Sequence, residues 1–334
     1  MLRLFANRND ACSRFSGVQH CLMCNWRVNA FLIICLLTIT PRLLLAGENE
    51  LLAVINEHQP LHQKFIAQLK SDLKQLGAEN VHIKVIALND WQPDIMKQFP
   101  LTLMLGNRAT LKLSQEKFTN PVLFSLVPSE TYREIMTSTA LCQTSRCGVI
   151  FIDQPLNRVL TLTRLAMPEL ETIGILHDHA ATERLSALTS LATKHHFTIE
   201  RQQISDNDNL IYSLSRVLQK SDVLLSLPDP DIYTRHTVQN ILLTAYHYRK
   251  PVIGYSHNFV KAGALFAVYS SLPELSRQAA ETIDGFFNKH AGLPAIQYPR
   301  YFSVSVNRMV AKSLGIKIDD EITLLKKLKA ATHE

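Results

Sequence analysis

The stretch LTLMLGNRATLKLSQEKFTNPVLFSLV, residues 101–127, contains the repeating unit from which the fold can be predicted. Leu101–Leu105 is an almost continuous apolar run of strand length, Asn107–Glu116 has helical spacing, and Pro121–Val127 is again apolar. A strand that is apolar on both faces must be covered on both faces, which is typical of a parallel sheet flanked by helices. The stretch therefore predicts a strand–helix–strand unit of an α/β fold.

The same alternation continues on both sides of this unit, and no linker rich in Pro, Gly or Ser interrupts it. It predicts an α/β protein with two lobes, each a parallel sheet flanked by helices, and a ligand cleft between the lobes. Further strands are predicted at residues 51–55, 81–88, 172–176, 197–203, 223–227, 251–254, 263–269 and 301–306. Helices are predicted at residues 61–76, 183–195, 210–218, 233–248 and 272–288, with a last short helix near the C-terminus.

Length and charge limit the classes of function. The chain has 334 residues, 46% of them hydrophobic, which suits two globular domains rather than a disordered protein. Its formal charge is +6, but residues 1–46 contain five arginines and one acidic residue, so that 30 basic and 28 acidic residues remain in the rest. The predicted globular part is thus nearly neutral, which argues against a nucleic-acid partner.

The N-terminal segment, residues 1–47, has the features of an export signal. Arg27 precedes the apolar run Val28–Thr40, which is too short for a membrane-spanning helix, and small residues follow at Ala46 and Gly47. These features predict a periplasmic protein. A leucine stands where a signal peptidase prefers a small residue, so the alternative of an uncleaved anchor stays open. Translation from Met23 would give a leader of ordinary length.

Cysteine usage agrees with export. Four of the six cysteines fall in the leader, while Cys142 and Cys147 remain, separated by four residues, and predict one local disulfide. Cys21 and Cys24 lack the second half of a zinc site, and the histidine pairs near residues 178 and 195 lack a third ligand. The sequence also contains no glycine-rich nucleotide motif, so we expect neither a metal nor a cofactor.

Two segments carry a resemblance to a known family. They are Lys250-Pro-Val-Ile-Gly-Tyr-Ser256 and Val260-Lys-Ala-Gly-Ala-Leu265, followed by Ser305-Val-Asn307. With them, the stretch from Leu51 to Ile318 resembles the substrate-binding proteins of bacterial ABC transporters, in the group related to tryptophan and tyrosine binders. The fold of this group is similar to the type I periplasmic binding proteins.

The resemblance implies a domain plan and a partner. Residues 48–147 and 266–296 would form the first lobe, and residues 148–265 and 297–334 would form the second. The implied partner is an ABC permease, with a membrane sensor as the alternative. The Gly-Asn-x-Thr-Gly segment common in the group is missing, because Cys142-Gln-Thr-Ser-Arg-Cys147 stands there. Specificity for aromatic amino acids therefore does not carry over.

The candidate ligand-binding residues follow the predicted strands, because ligands of open α/β sheets bind at the carboxyl ends of the strands. Arg108, at a helix start, could clamp a carboxylate or phosphate, or could simply be solvated. Asp229 and Asp231 could accept hydrogen bonds from an ammonium or hydroxyl group, or could cap a helix. The full candidate set is Glu57, Asn107, Arg108, Ser129, Asp229, Asp231 and Tyr255.

Three aromatic residues are further candidates for contact with a solute. Tyr255, Tyr269 and Trp91 could stack on a planar solute, although we expect at least one of them to be core. The sequence shows no nucleophile–base pair, so an enzyme is not predicted. The prediction is a monomeric periplasmic binding protein that captures a small molecule, such as an amino acid or other small anion. A sensory or accessory binding domain is the alternative.

Overall fold

The computed structural model describes residues 49–137, 146–178, 182–204, 209–229 and 231–333. Residues 46–334 form one compact unit that contains two β-sheets. All strands of the first sheet are parallel, in the order β2-β1-β3-β4-β5. They are β1 (Glu50–Ile55), β2 (His82–Ala87), β3 (Leu101–Leu105), β4 (Val122–Val127) and β5 (Cys147–Phe151).

The second sheet has the order β11-β10-β9-β8-β6-β7, and only β10 and β11 pair antiparallel. Its strands are β6 (Thr172–His177), β7 (Thr198–Gln203), β8 (Val223–Leu225), β9 (Val252–Ile253), β10 (Phe266–Tyr269) and β11 (Ser303–Val306). The helices among the described residues are α1 (Pro60–Gln75), α2 (Pro93–Met96), α3 (Gly106–Ser114), α4 (Ser129–Thr137), α5 (Leu156–Ala166), α6 (Thr182–Lys194), α7 (Leu210–Gln219), α8 (Thr237–His247), α9 (His257–Ala262), α10 (Leu272–Asn288), α11 (Arg308–Leu314) and α12 (Glu321–Thr332).

Each sheet is covered on both faces, so the protein has four apolar layers. In the first lobe, α1 and α10 pack on one face of the sheet and α2, α3 and α4 on the other. In the second lobe, α5, α6, α11 and α12 cover one face and α7, α8 and α9 cover the other. The fold class predicted from the sequence, two lobes of mostly parallel strands flanked by helices, is confirmed.

The chain passes between the lobes three times. β5 belongs to the first sheet and β10 to the second. α10, which follows β10, packs on the first sheet. Ser271 begins α10 with a capping box, in which its side chain accepts from the Glu274 N–H. This capping fixes the point at which the chain re-enters the first lobe.

Local chemistry explains where the elements differ from the sequence prediction. The helix predicted at 233–248 begins only at Thr237, because Ile232 and Tyr233 are buried in the turn before it. The Thr237 hydroxyl donates to the Ile232 carbonyl at 2.6 Å and so holds that turn. β5 and α5 were not predicted. Among the described residues no helix is long and apolar enough to cross a membrane. The leader and Cys142 lie outside the described residues.

Candidate functional site

The carboxyl end of β1 is organised by a buried histidine. The Asn56 N–H donates to His62 Nδ1 at 3.1 Å, and the Asn56 side-chain oxygen accepts from the His58 N–H at 3.2 Å. Burial lowers the pKa of His62, so the ring is kept neutral and can act as this acceptor. Glu57, a candidate ligand residue, is exposed in the same turn and lies 3.6 Å from the His58 ring nitrogen.

The strand β3 runs directly into α3 through Gly106. This glycine has φ +78°, a left-handed conformation that allows the sharp change of direction. Asn107 and Arg108 follow in the first turn of the helix, and both are exposed. Within the described part of the chain, Arg108 takes part in no hydrogen bond or ion pair, so no contact within the protein occupies its guanidinium. Together with the free N–H groups of the helix start, it can bind an anion.

At the carboxyl end of β4, Ser129 is already engaged within the protein. Its backbone N–H and its hydroxyl each donate to Asp153 at 2.6 Å, one to each carboxylate oxygen. Asp153 follows β5 and caps the first turn of α4, which begins at Ser129. The sequence reasoning did not select Asp153, because β5 was not recognised as a strand. A ligand at this edge would meet the Ser129–Asp153 pair rather than a free serine.

Acidic side chains lie together at the carboxyl edge of the second sheet. Oδ1 of Asp229 accepts from the Asp231 N–H at 2.9 Å and the Ile232 N–H at 3.1 Å, which is the capping geometry considered in the sequence analysis. Burial raises the pKa of Asp229, and the nearby Asp178 and Asp231 raise it further. Asp231 itself is exposed. A donor or cation placed here would relieve this crowding of negative charge.

Tyr255 lies next to this acidic group, at the end of β9. Its ring centroid is 5.1 Å from that of Phe259 and 6.1 Å from that of Tyr233. The ring is half-buried, and its pKa is raised by burial and by the charge of Asp229. Trp91, by contrast, is only 2% exposed in the core of the first lobe, so it does not face a ligand. Tyr269 is partly buried and stacks on the His257 ring at 5.6 Å.

The carboxyl edge of the second sheet faces the first crossing between the lobes. A cavity of about 30 Å³ there is lined by Asp153 and Gln154 from the crossing, and by Ser226 and Tyr255 from the ends of β8 and β9. Ser226 is 2% exposed, and its buried hydroxyl has no hydrogen-bond partner among the described residues. This volume holds about one water molecule. A larger solute does not fit this volume.

The structure brings only part of the candidate set together. Asp229, Asp231 and Tyr255 form one group, and Ser129 joins them indirectly, through Asp153 and the shared cavity. Glu57, Asn107 and Arg108 lie on the other lobe at the same kind of sheet edge. No group of three or more His, Cys, Asp or Glu side chains within the described residues could hold a metal ion.

Comparison with known protein families identifies the family of this chain. The family model described as ABC transporter substrate binding protein matches residues 100–329. The chain belongs to this family. Its members bind substrates for transporters, so this chain is a binding protein and not an enzyme, and the resemblance drawn from the sequence is confirmed. No curated protein sequence matches the chain.

Solved structures support the fold of this substrate-binding family member. A substrate binding protein with adhesive properties from Clostridium difficile, in its ligand-free, open form, is 16% identical with a TM-score of 0.64, covering 81% of this chain and 96% of that one. A domain from Streptococcus pneumonia in complex with L-Trp is 16% identical with a TM-score of 0.58, covering 83% and 97%. A conserved domain protein from Vibrio cholerae is 17% identical with a TM-score of 0.58, covering 83% of this chain and 97% of that one. At these identities the likeness shows the fold alone.

Proposed function

We propose that this chain is an exported solute-binding protein of an ABC-type transporter, which captures a small molecule between its two lobes. The observation that carries the proposal is the polar cavity at the carboxyl edge of the second sheet, beside the first crossing, which Asp153, Ser226 and Tyr255 line. In open α/β sheets this edge is where ligands bind. Membership of the substrate-binding family supports the transport role, and the polar lining of this cavity supports it as the place of binding.

The polar groups at the two edges favour a solute with more than one kind of polar group. The first lobe contributes Arg108, which suits a carboxylate or another small anion. The second contributes Asp229 and Asp231, which suit an ammonium or hydroxyl group, with Tyr255 beside them for an apolar or planar part. An amino acid has these features, and one structural neighbour was solved with L-Trp. We therefore place amino acids first among the candidate solutes.

Capture would take place outside the cytoplasm. The leader, residues 1–47, would direct export and be removed or kept as an anchor, and Cys142 and Cys147 would pair in the oxidising compartment. Cys147 begins β5 and is buried, so a disulfide there would tie the segment before β5 to the sheet. The permease would then receive the solute when the lobes open.

The experiment that tests the proposal is calorimetric titration of the purified protein with amino acids and organic acids, in the wild type and in Arg108→Ala. Loss of a charge-assisted hydrogen bond should weaken binding by about 1.5–3 kcal/mol. The melting temperature without solute should stay unchanged, because Arg108 has no hydrogen-bond or ion-pair partner among the described residues. Arg216→Ala removes a comparable exposed arginine from α7 and serves as the control.

Two outcomes would count against the assignment of Arg108. Equal affinity in Arg108→Ala and Arg216→Ala would mean that other groups hold the anion. An equal loss of melting temperature and of affinity would mean that Arg108 supports the fold rather than the solute.

A further inference from the structure

The three passages of the chain between the lobes are joined by a closed ring of hydrogen bonds. The passages are residues 152–155 after β5, residues 270–271 between β10 and α10, and residues 289–302 between α10 and β11. Each passage contributes at least one polar group to the ring. Because the passages are all that connects the two lobes covalently, their mutual arrangement sets how one lobe is oriented on the other.

The ring can be followed bond by bond. Gln154 Nε2 in the first passage donates to Ser270 Oγ in the second at 2.8 Å, and Ser270 Oγ donates to the Tyr301 carbonyl in the third at 2.5 Å. Arg158 Nη1, in the first turn of α5, donates both to Gln154 Oε1 at 2.6 Å and to the Pro299 carbonyl at 2.8 Å. Ser270 is thus the only member in the second passage and joins the other two.

The ring is largely removed from water. Gln154 is 8% exposed and Arg158 is 3% exposed, and the Arg158 guanidinium lies 4.0 Å from the centre of the Phe302 ring. Leaving a buried donor or acceptor without a partner costs more free energy than a typical hydrogen bond contributes to stability. The members of a buried network also hold one another in place. We therefore expect the ring to be stiff and to tolerate only small changes in the arrangement of the passages.

The third passage is held from both lobes at alternate residues. Gln278, fully buried on α10 of the first lobe, accepts from the Arg300 N–H at 2.8 Å and donates to the Tyr298 carbonyl at 3.2 Å. The ring binds the carbonyls of the two residues that alternate with these, Pro299 and Tyr301. Four consecutive residues are therefore fixed alternately to α10 and to the ring. Rotation of one lobe against the other must change at least one of these contacts.

We propose that this ring fixes the relative orientation of the two lobes in the ligand-free protein, with Ser270 as the positioning residue on which it depends. Gln154 also lines the cavity that contains Ser226 and Tyr255. A solute that enters the cavity would therefore meet a member of the ring, which couples occupancy of the site to lobe orientation. The claim about the ring does not depend on the identity of the solute or on the proposed transport role.

The test measures the distance between the lobes directly. Spin labels are introduced through a ketone-bearing unnatural residue, which leaves the native cysteines unmodified, at the exposed positions of Lys70 on α1 and Arg216 on α7. Pulsed electron resonance then gives the distribution of label distances without solute. The wild type should give a single narrow distribution. Ser270→Ala removes two bonds of the ring and should broaden or shift the distribution.

Matched variants separate the ring from a general loss of stability. Ser313→Ala removes one serine hydroxyl that donates within α11, to the Val310 carbonyl at 2.9 Å, and should keep the narrow distribution. Gln154→Met keeps the side-chain volume but removes its hydrogen bonds, and should broaden the distribution as Ser270→Ala does. If Ser270→Ala does not fold, Gln154→Met provides the same test. A broad wild-type distribution, or narrow ones in the ring variants, would overturn the proposal.

Discussion

Replacing Gly106 with alanine should destabilise the first lobe through two separable effects. Gly106 has φ +78°, and a side chain in this left-handed region costs about 1–2 kcal/mol. In addition, a Cβ there would lie 2.9 Å from Nε2 of the buried His62 ring. Moving the ring would break its hydrogen bond from the Asn56 N–H, for a further cost of about 0.5–1.5 kcal/mol. We expect a total loss of about 1.5–3.5 kcal/mol.

The chain contains a matched control for the backbone effect. Gly77 has φ +75°, but no atom lies within 4 Å of the Cβ that alanine would add there. Urea unfolding at neutral pH should therefore show Gly77→Ala to be less destabilising than Gly106→Ala by about 1 kcal/mol. In a His62→Ala background, Gly106→Ala should cost no more than Gly77→Ala does in the wild type. Equal costs for the two glycine variants, or an undiminished cost in that background, would refute the reasoning.

Two further predictions concern His62 and the cysteine pair. Because the folded pKa of His62 lies below its unfolded value of 6.5, its contribution to stability is complete above pH 6.5 and is lost as the pH falls below it. The free energy of unfolding should therefore drop more between pH 7.5 and pH 5 in the wild type than in His62→Asn, and parallel pH profiles would show that His62 does not titrate as described. Protein recovered from the periplasm should have no free thiol at Cys142 or Cys147, and reduction should cost roughly 2 kcal/mol or less because the loop is short. Thiol alkylation followed by mass spectrometry checks this, and two alkylated cysteines would contradict the pairing.

Much of the fold could be predicted because most strands are apolar on both faces. Every residue of β3 is buried, so its composition alone marks it as a central strand. α10 was predicted with its observed bounds, and the structure shows that a capping box of Ser271 and Glu274 sets its start. β5 was not predicted, because its first residue, Cys147, was assigned to the local disulfide with Cys142.

The site could be predicted less completely, for a physical reason. Residues after strand ends are visible in the sequence, and this selected Asp229, Tyr255 and Arg108. The hydrogen-bond partners of a polar residue cannot be read from the sequence, because they come from distant segments. Ser129, for example, donates to Asp153. The burial of the Ser226 hydroxyl without a partner is likewise known only from the structure. The ring through Gln154 and Ser270 likewise joins residues 116 positions apart.

The central claim is that a small solute binds between the lobes, and melting of the purified protein against a panel of solutes tests it most directly. The panel should contain amino acids, organic acids, sugars and nucleosides, each over a range of concentrations. A solute that binds only the folded protein stabilises it by about 2.7 kcal/mol at a hundredfold excess over its dissociation constant. The account predicts that one chemically related group, with amino acids placed first, raises the melting temperature in a saturable way. A melting temperature that no solute in the panel changes would contradict it.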